Sequence, residues 1–280
     1  MKVAVTGATG FIGRHVLSEL ARHSVEIVAV SRKPPAENVR AGYIKTVQMD
    51  MGDAPGEAFD RLGRPDVLIH LAWGGLPNYH SLRHFEQELP MQYQFLGGLI
   101  RAGLTDLVVV GTCFEYGMQQ GQLSEAMDTH PDNPYGFAKD ILRRQLEYLR
   151  RSRPFMLTWG RVFYLYGDGQ AESALLPQLK RAVERGARAF DMSGGEQLRD
   201  YMPVTDAAKV LVRLALNKAD VGVVNICSGK PISVRKLVEG WIYENRWDIN
   251  LNLGHYPYPD YEPFAFWGDR RKLDMVLLSE

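Results

Sequence analysis

The stretch MKVAVTGATGFIG, residues 1–13, decides how this 280-residue chain is read. Val3 and Val5 alternate as in a strand that starts almost at the first residue. Gly7, Gly10 and Gly13 follow at a spacing of three, and Val16, Leu17 and Leu20 come next at helical spacing. A strand, a glycine turn and a helix start form the context in which a glycine pattern points to nucleotide binding. Glycine lets the chain turn sharply and lets a pyrophosphate approach with no Cβ in the way. The helix that begins there offers unpaired N–H groups and the positive end of its dipole.

Outward from this stretch, strand and helix alternate. Residues 25–30 (VEIVAV), 67–71 (VLIHL) and 107–110 (LVVV) read as strands, and residues 85–102 as the clearest helix between them. Repeated β-α units predict an α/β chain with a doubly wound parallel sheet. After about Tyr166 the character changes. Glycine turns punctuate the chain, a helical stretch spans about 175–185, residues 221–226 read as a short strand, and residues 256–263 (YPYPDYEP) form a Pro/aromatic loop that cannot be a regular helix.

Lysine plus arginine and aspartate plus glutamate both number 33, so the formal net charge is zero. That balance argues against nucleic acid as a partner. The two cysteines, Cys113 and Cys227, have no metal-ligand spacing and read as free thiols in a reducing compartment; no metal is expected. A strand beginning at Lys2 leaves no room for a signal peptide, and no apolar run is long enough to span a bilayer. The expected location is the cytoplasm, with no membrane partner.

Two further segments carry chemistry. Tyr135 and Lys139 stand at i and i+4 in YGFAK, at the front of a helical pattern containing Ile141, Leu142, Leu146 and Leu149. They therefore share one helix face. An ammonium beside a phenol favours the phenolate and lowers its pKa, which suits the pair to moving a proton to or from an alcohol or carbonyl oxygen. Thr112 ends the apolar run 107–110 plus Gly111, at the carboxyl end of a strand, where ligands of open α/β sheets are bound.

Together these residues resemble the extended short-chain dehydrogenase/reductase family, the NAD-dependent epimerase/dehydratase group. TGATGFIG (6–13) is similar to its cofactor loop, Asp50-Met51 to its adenine contact, HLAW (70–73) to the loop after its fourth strand, GRVFYLYG (160–167) to its R-x-x-N-x-Y-G segment and RDYMPVTD (199–206) to its RD-(F/Y)-x-x-V-x-D segment. The resemblance implies a Rossmann-type domain over 1–165 and a smaller C-terminal substrate-binding lobe over 166–280, with 204–226 returning to the first lobe. It implies Thr112, Tyr135 and Lys139 as the catalytic residues. It implies a cofactor held by Gly7, Gly10, Phe11, Ile12, Gly13, Asp50, Met51, Leu71, Ala72 and Trp73 together with Tyr135 and Lys139. Substrate contacts are expected from Thr112, Cys113, Phe114, Tyr135, Tyr164, Leu176 and Arg199, the last meeting a nucleotide diphosphate. A homodimer through helices 85–102 and 135–151 is also implied.

The second predicted strand ends Val30-Ser31-Arg32-Lys33, without the acid that holds an adenosine ribose 2′-OH. Ser31, Arg32 and Lys33 would instead attract a 2′-phosphate, so NADP(H) is expected ahead of NAD(H), which could still bind. The family's dehydratases carry an Asp-Glu pair where Cys113 and Phe114 stand, and Glu115 comes one place too late and, on strand-like geometry, points the other way. Dehydration is thus not expected. Reduction of the 4-keto group of a nucleotide-linked 6-deoxyhexose leads. A nucleotide-sugar 4-epimerase, or a reductase of a non-sugar carbonyl with Trp73, Tyr164 and Trp267 as aromatic walls, stands as the alternative. Three departures bear on substrate: Tyr164 replaces the family asparagine, Glu88 stands where an asparagine is usual, and the Pro/Tyr loop occupies the place of a late family arginine.

Overall fold

The computed structural model describes residues 1–32, 44–52, 56–218 and 220–278. In chain order its elements are β1 (Lys2–Thr6), α1 (Phe11–Leu20), β2 (Glu26–Ser31), β3 (Ile44–Gln48), α2 (Ala58–Arg61), β4 (Val67–His70), α3 (Leu89–Ala102), β5 (Asp106–Thr112), β6 (Gly121–Leu123), α4 (Pro134–Ser152), β7 (Met156–Val162) and β8 (Tyr164–Tyr166). There follow α5 (Leu175–Glu184), β9 (Ala189–Asp191), β10 (Leu198–Pro203), α6 (Val204–Leu216), β11 (Gly222–Ile226), β12 (Pro231–Ser233), α7 (Val234–Asn245), β13 (Asn250–Asn252), β14 (Phe266–Gly268) and α8 (Arg271–Leu278).

Seven strands form one parallel sheet in the order β3-β2-β1-β4-β5-β7-β11. The chain order reverses between β1 and β4, and such a switch point opens a crevice at the carboxyl ends of the strands. Period-two alternation sends the strand residues to opposite faces. Val3, Val5, Val108 and Val110 pack with Val16, Leu17, Leu20 and Leu211 on one side. Ala4, Leu107 and Val109 pack with Phe95, Leu99, Leu142 and Leu146 on the other. All seven residues of β5 are buried, as a strand covered by helices on both faces requires.

A second body is built from short pieces. β10 lies between β8 and β12, β13 pairs β9, and β14 pairs β6. Leu176, Leu179, Phe190, Val238 and Trp241 from α5, β9 and α7 share its own apolar cluster. Between the two bodies the chain crosses back: Ala207, Val210 and Leu211 of α6 belong to the sheet's core, and β11 extends the sheet beside β7. The helix expected at 85–102 enters through a π-helical turn, His84–Glu88, before α3 begins. Among the described residues no helix is long and apolar enough to cross a membrane.

Candidate active site

The glycine turn behaves as its sequence demands. Gly7 has φ +67°, and a Cβ there would lie 2.9 Å from Ala72 N. A Cβ on Gly13 would lie 2.2 Å from Gly7 O, so α1 could not pack so closely against the end of β1. Gly10 caps α1 with no side-chain hydrogen bond, leaving the first N–H groups of that helix aimed out of the turn. This cradle, open where side chains would close it, fits a pyrophosphate. At the end of β2, Ser31 is buried and accepts a hydrogen bond from Met49 N, while Arg32 is exposed. Lys33 lies outside the described residues. Asp50 is exposed and Oδ1 accepts from Gly52 N; Met51 is buried.

β5 delivers Thr112 and α4 delivers Tyr135 to the crevice; Lys139, one turn further along α4, is buried and does not line it. Asn133 Oδ1 accepts from Gly136 N at 2.9 Å and caps α4, with Pro134 at its first turn. A Cβ on Gly136 would stand 2.6 Å from Phe114 O, so glycine lets α4 touch the turn after β5. Tyr135 is buried among Trp73, Tyr79 and His84, whose ring centroids lie 6.0, 5.6 and 5.3 Å away.

Burial pushes the Tyr135 phenol well above its ordinary pKa, the nearby Tyr79, Glu115 and Cys113 push it the same way, and hydrogen bonding with Thr112 pulls it back. The expected lowering by Lys139 is not found: desolvation penalises the phenolate, and the hydrogen bond with Thr112 is what opposes it. Lys139 is itself buried and is lowered to about 7, chiefly by desolvation. Its Nζ donates to Val110 O at 2.8 Å and stands 4.1 Å from the Trp73 ring centroid. Trp73 is held in turn: its indole N–H donates to His84 Nδ1 at 3.1 Å, and His84 Nε2 pairs with Asn78 O at 2.7 Å. His70 Nδ1 meets Thr6 Oγ1 at 2.9 Å, and burial lowers His70 to about 3, so it is neutral.

Glu115 does point away from the crevice, for a different reason from the one expected. Residues Cys113–Tyr116 form a 3-10 turn, in which Thr112 Oγ1 accepts from Phe114 N and Glu115 Oε1 accepts from Thr112 N. Glu115 also accepts from Trp159 Nε1 and pairs with Arg161 Nε at 2.7 Å, both ends of the pair being almost wholly buried. A Cβ on Gly111 would lie 2.5 Å from Glu115 Oε1 and 2.2 Å from Trp159 Nε1, so glycine is required there. Glu88 also turns inward: Oε2 accepts from Gly74 N at 3.0 Å and Oε1 lies 3.4 Å from Arg83.

The crevice is a cavity of about 770 Å³ that runs from Phe11 and Ile12 past Thr112 and Tyr135 to Leu175 and Leu176. Cys113, Phe114 and Tyr164 line it as expected from the sequence, whereas Trp73 and Trp267 do not. Burial raises the Cys113 thiol well above its usual range. Tyr79, Tyr201, Tyr261 and Glu262 also line it and were missed by sequence reasoning, because they come from loops and short strands with no periodic signal. Arg199 was expected to meet a diphosphate; instead it sits behind the wall. Its Nε pairs with Glu262 Oε2 at 2.9 Å, Nη1 donates to the carbonyls of Leu198 and Phe264, and the guanidinium lies 4.7 Å over Phe266. Among the described lining residues none is a lysine or arginine.

A sequence profile of the NAD dependent epimerase/dehydratase family matches residues 3–227. The chain belongs to that family. It is 28% identical over 273 residues to the dTDP-6-deoxy-L-talose 4-dehydrogenase (NAD(+)) of Aggregatibacter actinomycetemcomitans, covering 96% of this chain and 99% of the relative. It is 26% identical over 273 residues to the dTDP-6-deoxy-L-talose 4-dehydrogenase (NAD(P)(+)) of Kitasatospora kifunensis, covering 92% and 83%. The structure of MoeE5 in complex with UDP-glucuronic acid and NAD superposes with a TM-score of 0.83 at 27% identity, covering 99% of this chain and 92% of that one. A family member with this site is an NAD(P)-dependent oxidoreductase or epimerase, related to enzymes of nucleotide-sugar 4-oxidation, reduction and epimerisation.

Proposed function

We propose that this chain reduces the 4-keto group of a nucleotide-linked 6-deoxyhexose, with Tyr135 as general acid. The observation that carries this reading is the state of Tyr135: buried in the cavity, beside Thr112, and raised so that its phenol keeps its proton at neutral pH. A protonated phenol can give that proton to an oxygen that gains negative charge. Thr112 Oγ1 accepts from Phe114 N, and its hydroxyl hydrogen, which meets Tyr135 here, can turn to the same oxygen when a ligand is bound. Lys139, pinned between Val110 O and the Trp73 face, holds positive charge close by. A bound nicotinamide would supply the hydride. The residues that would hold the cofactor are Gly7, Gly10, Phe11, Ile12 and Gly13 at the start of α1, Asp50 and Met51 near the adenine, Leu71, Ala72 and Trp73 after β4, and Tyr135 with Lys139.

Ser31 and Arg32, with no acid at the end of β2, favour NADP(H) over NAD(H). The relatives' names support a deoxysugar linked to a nucleotide, and the uncapped N-terminus of α5, whose Ala174, Leu175 and Leu176 line the cavity, is suited to a diphosphate in place of Arg199. Cys113 and Phe114 cannot act as an acid–base carboxyl pair, which disfavours dehydration. The exposed Phe137 and Tyr148 on α4 suit a homodimer through α3 and α4, and two buried free thiols suit a reducing cytoplasm.

The test is nicotinamide absorbance with NADPH or NADH and a panel of 4-keto-6-deoxyhexoses linked to dTDP, GDP or CDP. Consumption of NADPH with one member supports the reading. No consumption across the panel, with tightly held NAD released on denaturation, supports the 4-epimerase instead.

A further inference from the structure

We propose that Glu262 restricts the sugar end of this cavity to uncharged rings, accepting a sugar hydroxyl and excluding sugars that carry a ring carboxylate. The inference rests on the reading of the cavity as a nucleotide-sugar site. Glu262 comes from the Pro/aromatic loop and is only 11% exposed, yet it lines the cavity. Its Oε2 takes both of its bonds, one from the Tyr164 hydroxyl and one from Arg199 Nε. Among the described residues Oε1 has no donor, so one acceptor oxygen remains for a ligand. An accessible oxygen of a largely buried carboxylate, left without a donor, favours a ligand hydroxyl and disfavours a second anion.

The position of Glu262 assigns it to the reacting end. It lies close enough to Tyr79 and Cys113 for its charge to raise both groups, and those two raise Tyr135 in turn. Tyr79 packs 5.6 Å from the Tyr135 ring. Arg199 does not cancel the field of Glu262. At Cys113, Tyr164, Tyr201 and Tyr261 alike, the charge of Glu262 outweighs that of Arg199. Arg199 faces backbone carbonyls and the Phe266 ring, away from the cavity, and no lysine or arginine lines the cavity among the described residues.

Isothermal titration of the full chain, preloaded with oxidised cofactor, with UDP-glucose against UDP-glucuronic acid and with dTDP-glucose against dTDP-glucuronic acid, tests this. Each pair differs in the ring substituent alone. The wild-type protein should bind the neutral sugar at least about tenfold more tightly than the uronate, a modest effect for like charges brought together in a poorly solvated site. Glu262→Gln should shrink that ratio at least about fivefold, since it removes the charge and leaves Arg199 unbalanced. Tyr164→Phe, which keeps the charge, should preserve the ratio. Cofactor affinity and the unfolding transition report whether each variant is folded. Equal binding of both sugars by the wild type, or a ratio unmoved by Glu262→Gln in a folded protein, overturns the inference alone. No binding of either sugar in either pair, nor in the matching GDP and CDP pairs, overturns the nucleotide-sugar reading and this inference with it.

Discussion

Two buried carboxylate–guanidinium pairs flank the cavity, and they are built to opposite ends. Glu115 and Arg161 join the turn after β5 to β7, and both oxygens of Glu115 are consumed by the framework: Thr112 N, Trp159 Nε1 and Arg161 Nε. Glu262 and Arg199 join the Pro/aromatic loop to β10, and Glu262 keeps one oxygen for the cavity it lines. The same chemical pair is a brace in one place and a recognition element in the other. What separates them is whether every acceptor is satisfied by the protein. The first pair holds Thr112 at the end of its strand; the second shapes what may come near Tyr135.

This contrast can be broken most directly by removing each charge in turn. Glu115→Gln leaves Arg161 charged and buried, and should cost about 3–5 kcal/mol of unfolding free energy. Glu262→Gln should cost less, about 1–3 kcal/mol, because Arg199 keeps the carbonyls of Leu198 and Phe264 and the cavity admits water. Urea unfolding of the two variants decides it, and a larger loss for Glu262→Gln would reverse the assignment of brace and recognition element.

On the catalytic side, Lys139→Met should lower kcat/KM at least about hundredfold, within the range of a group that tunes proton transfer. A loss below about threefold would mean that the ammonium over Trp73 is merely packed. The same residue sets a pH limit. Lys139 is lowered to about 7, so its charge is present below that pH and lost above it. Because kcat/KM reports groups of the free enzyme, carbonyl reduction should decline above about pH 7, approaching about tenfold per pH unit. A profile flat to pH 9 would contradict this. Farthest from both pairs, Ser31→Asp combined with Arg32→Ala should move the kcat/KM ratio of NADPH to NADH about tenfold towards NADH. An unchanged ratio would end the case for NADP(H).

The legible parts of the molecule are those with short-range signatures. The glycines of residues 7–13, the buried run of β5 and the i, i+4 pair Tyr135 and Lys139 each carry a spacing tied to a backbone geometry, and each is found in that geometry. Burial was not legible in the same way. Spacing puts Lys139 near Tyr135, but only the packing of Trp73, Tyr79 and His84 shows that desolvation dominates the phenol. The apolar run before it suggests a strand at Glu115, yet Glu115 stands on a 3-10 turn, because Thr112 and Glu115 satisfy each other's backbone and end the strand. Arg199 and Glu262 are 63 residues apart, and no periodicity could announce that the loop would neutralise the arginine.

In the proposed reaction Tyr135 gives a proton to the 4-oxygen during reduction by a nicotinamide cofactor. The most direct measurement is a single-turnover reaction with NADPH and dTDP-4-keto-6-deoxyglucose, comparing wild type with Tyr135→Phe, alongside the binding of both ligands to each. The wild type should consume one NADPH per ketone reduced, and Tyr135→Phe should react at least about hundredfold more slowly with binding largely kept. Undiminished reduction by Tyr135→Phe would contradict it.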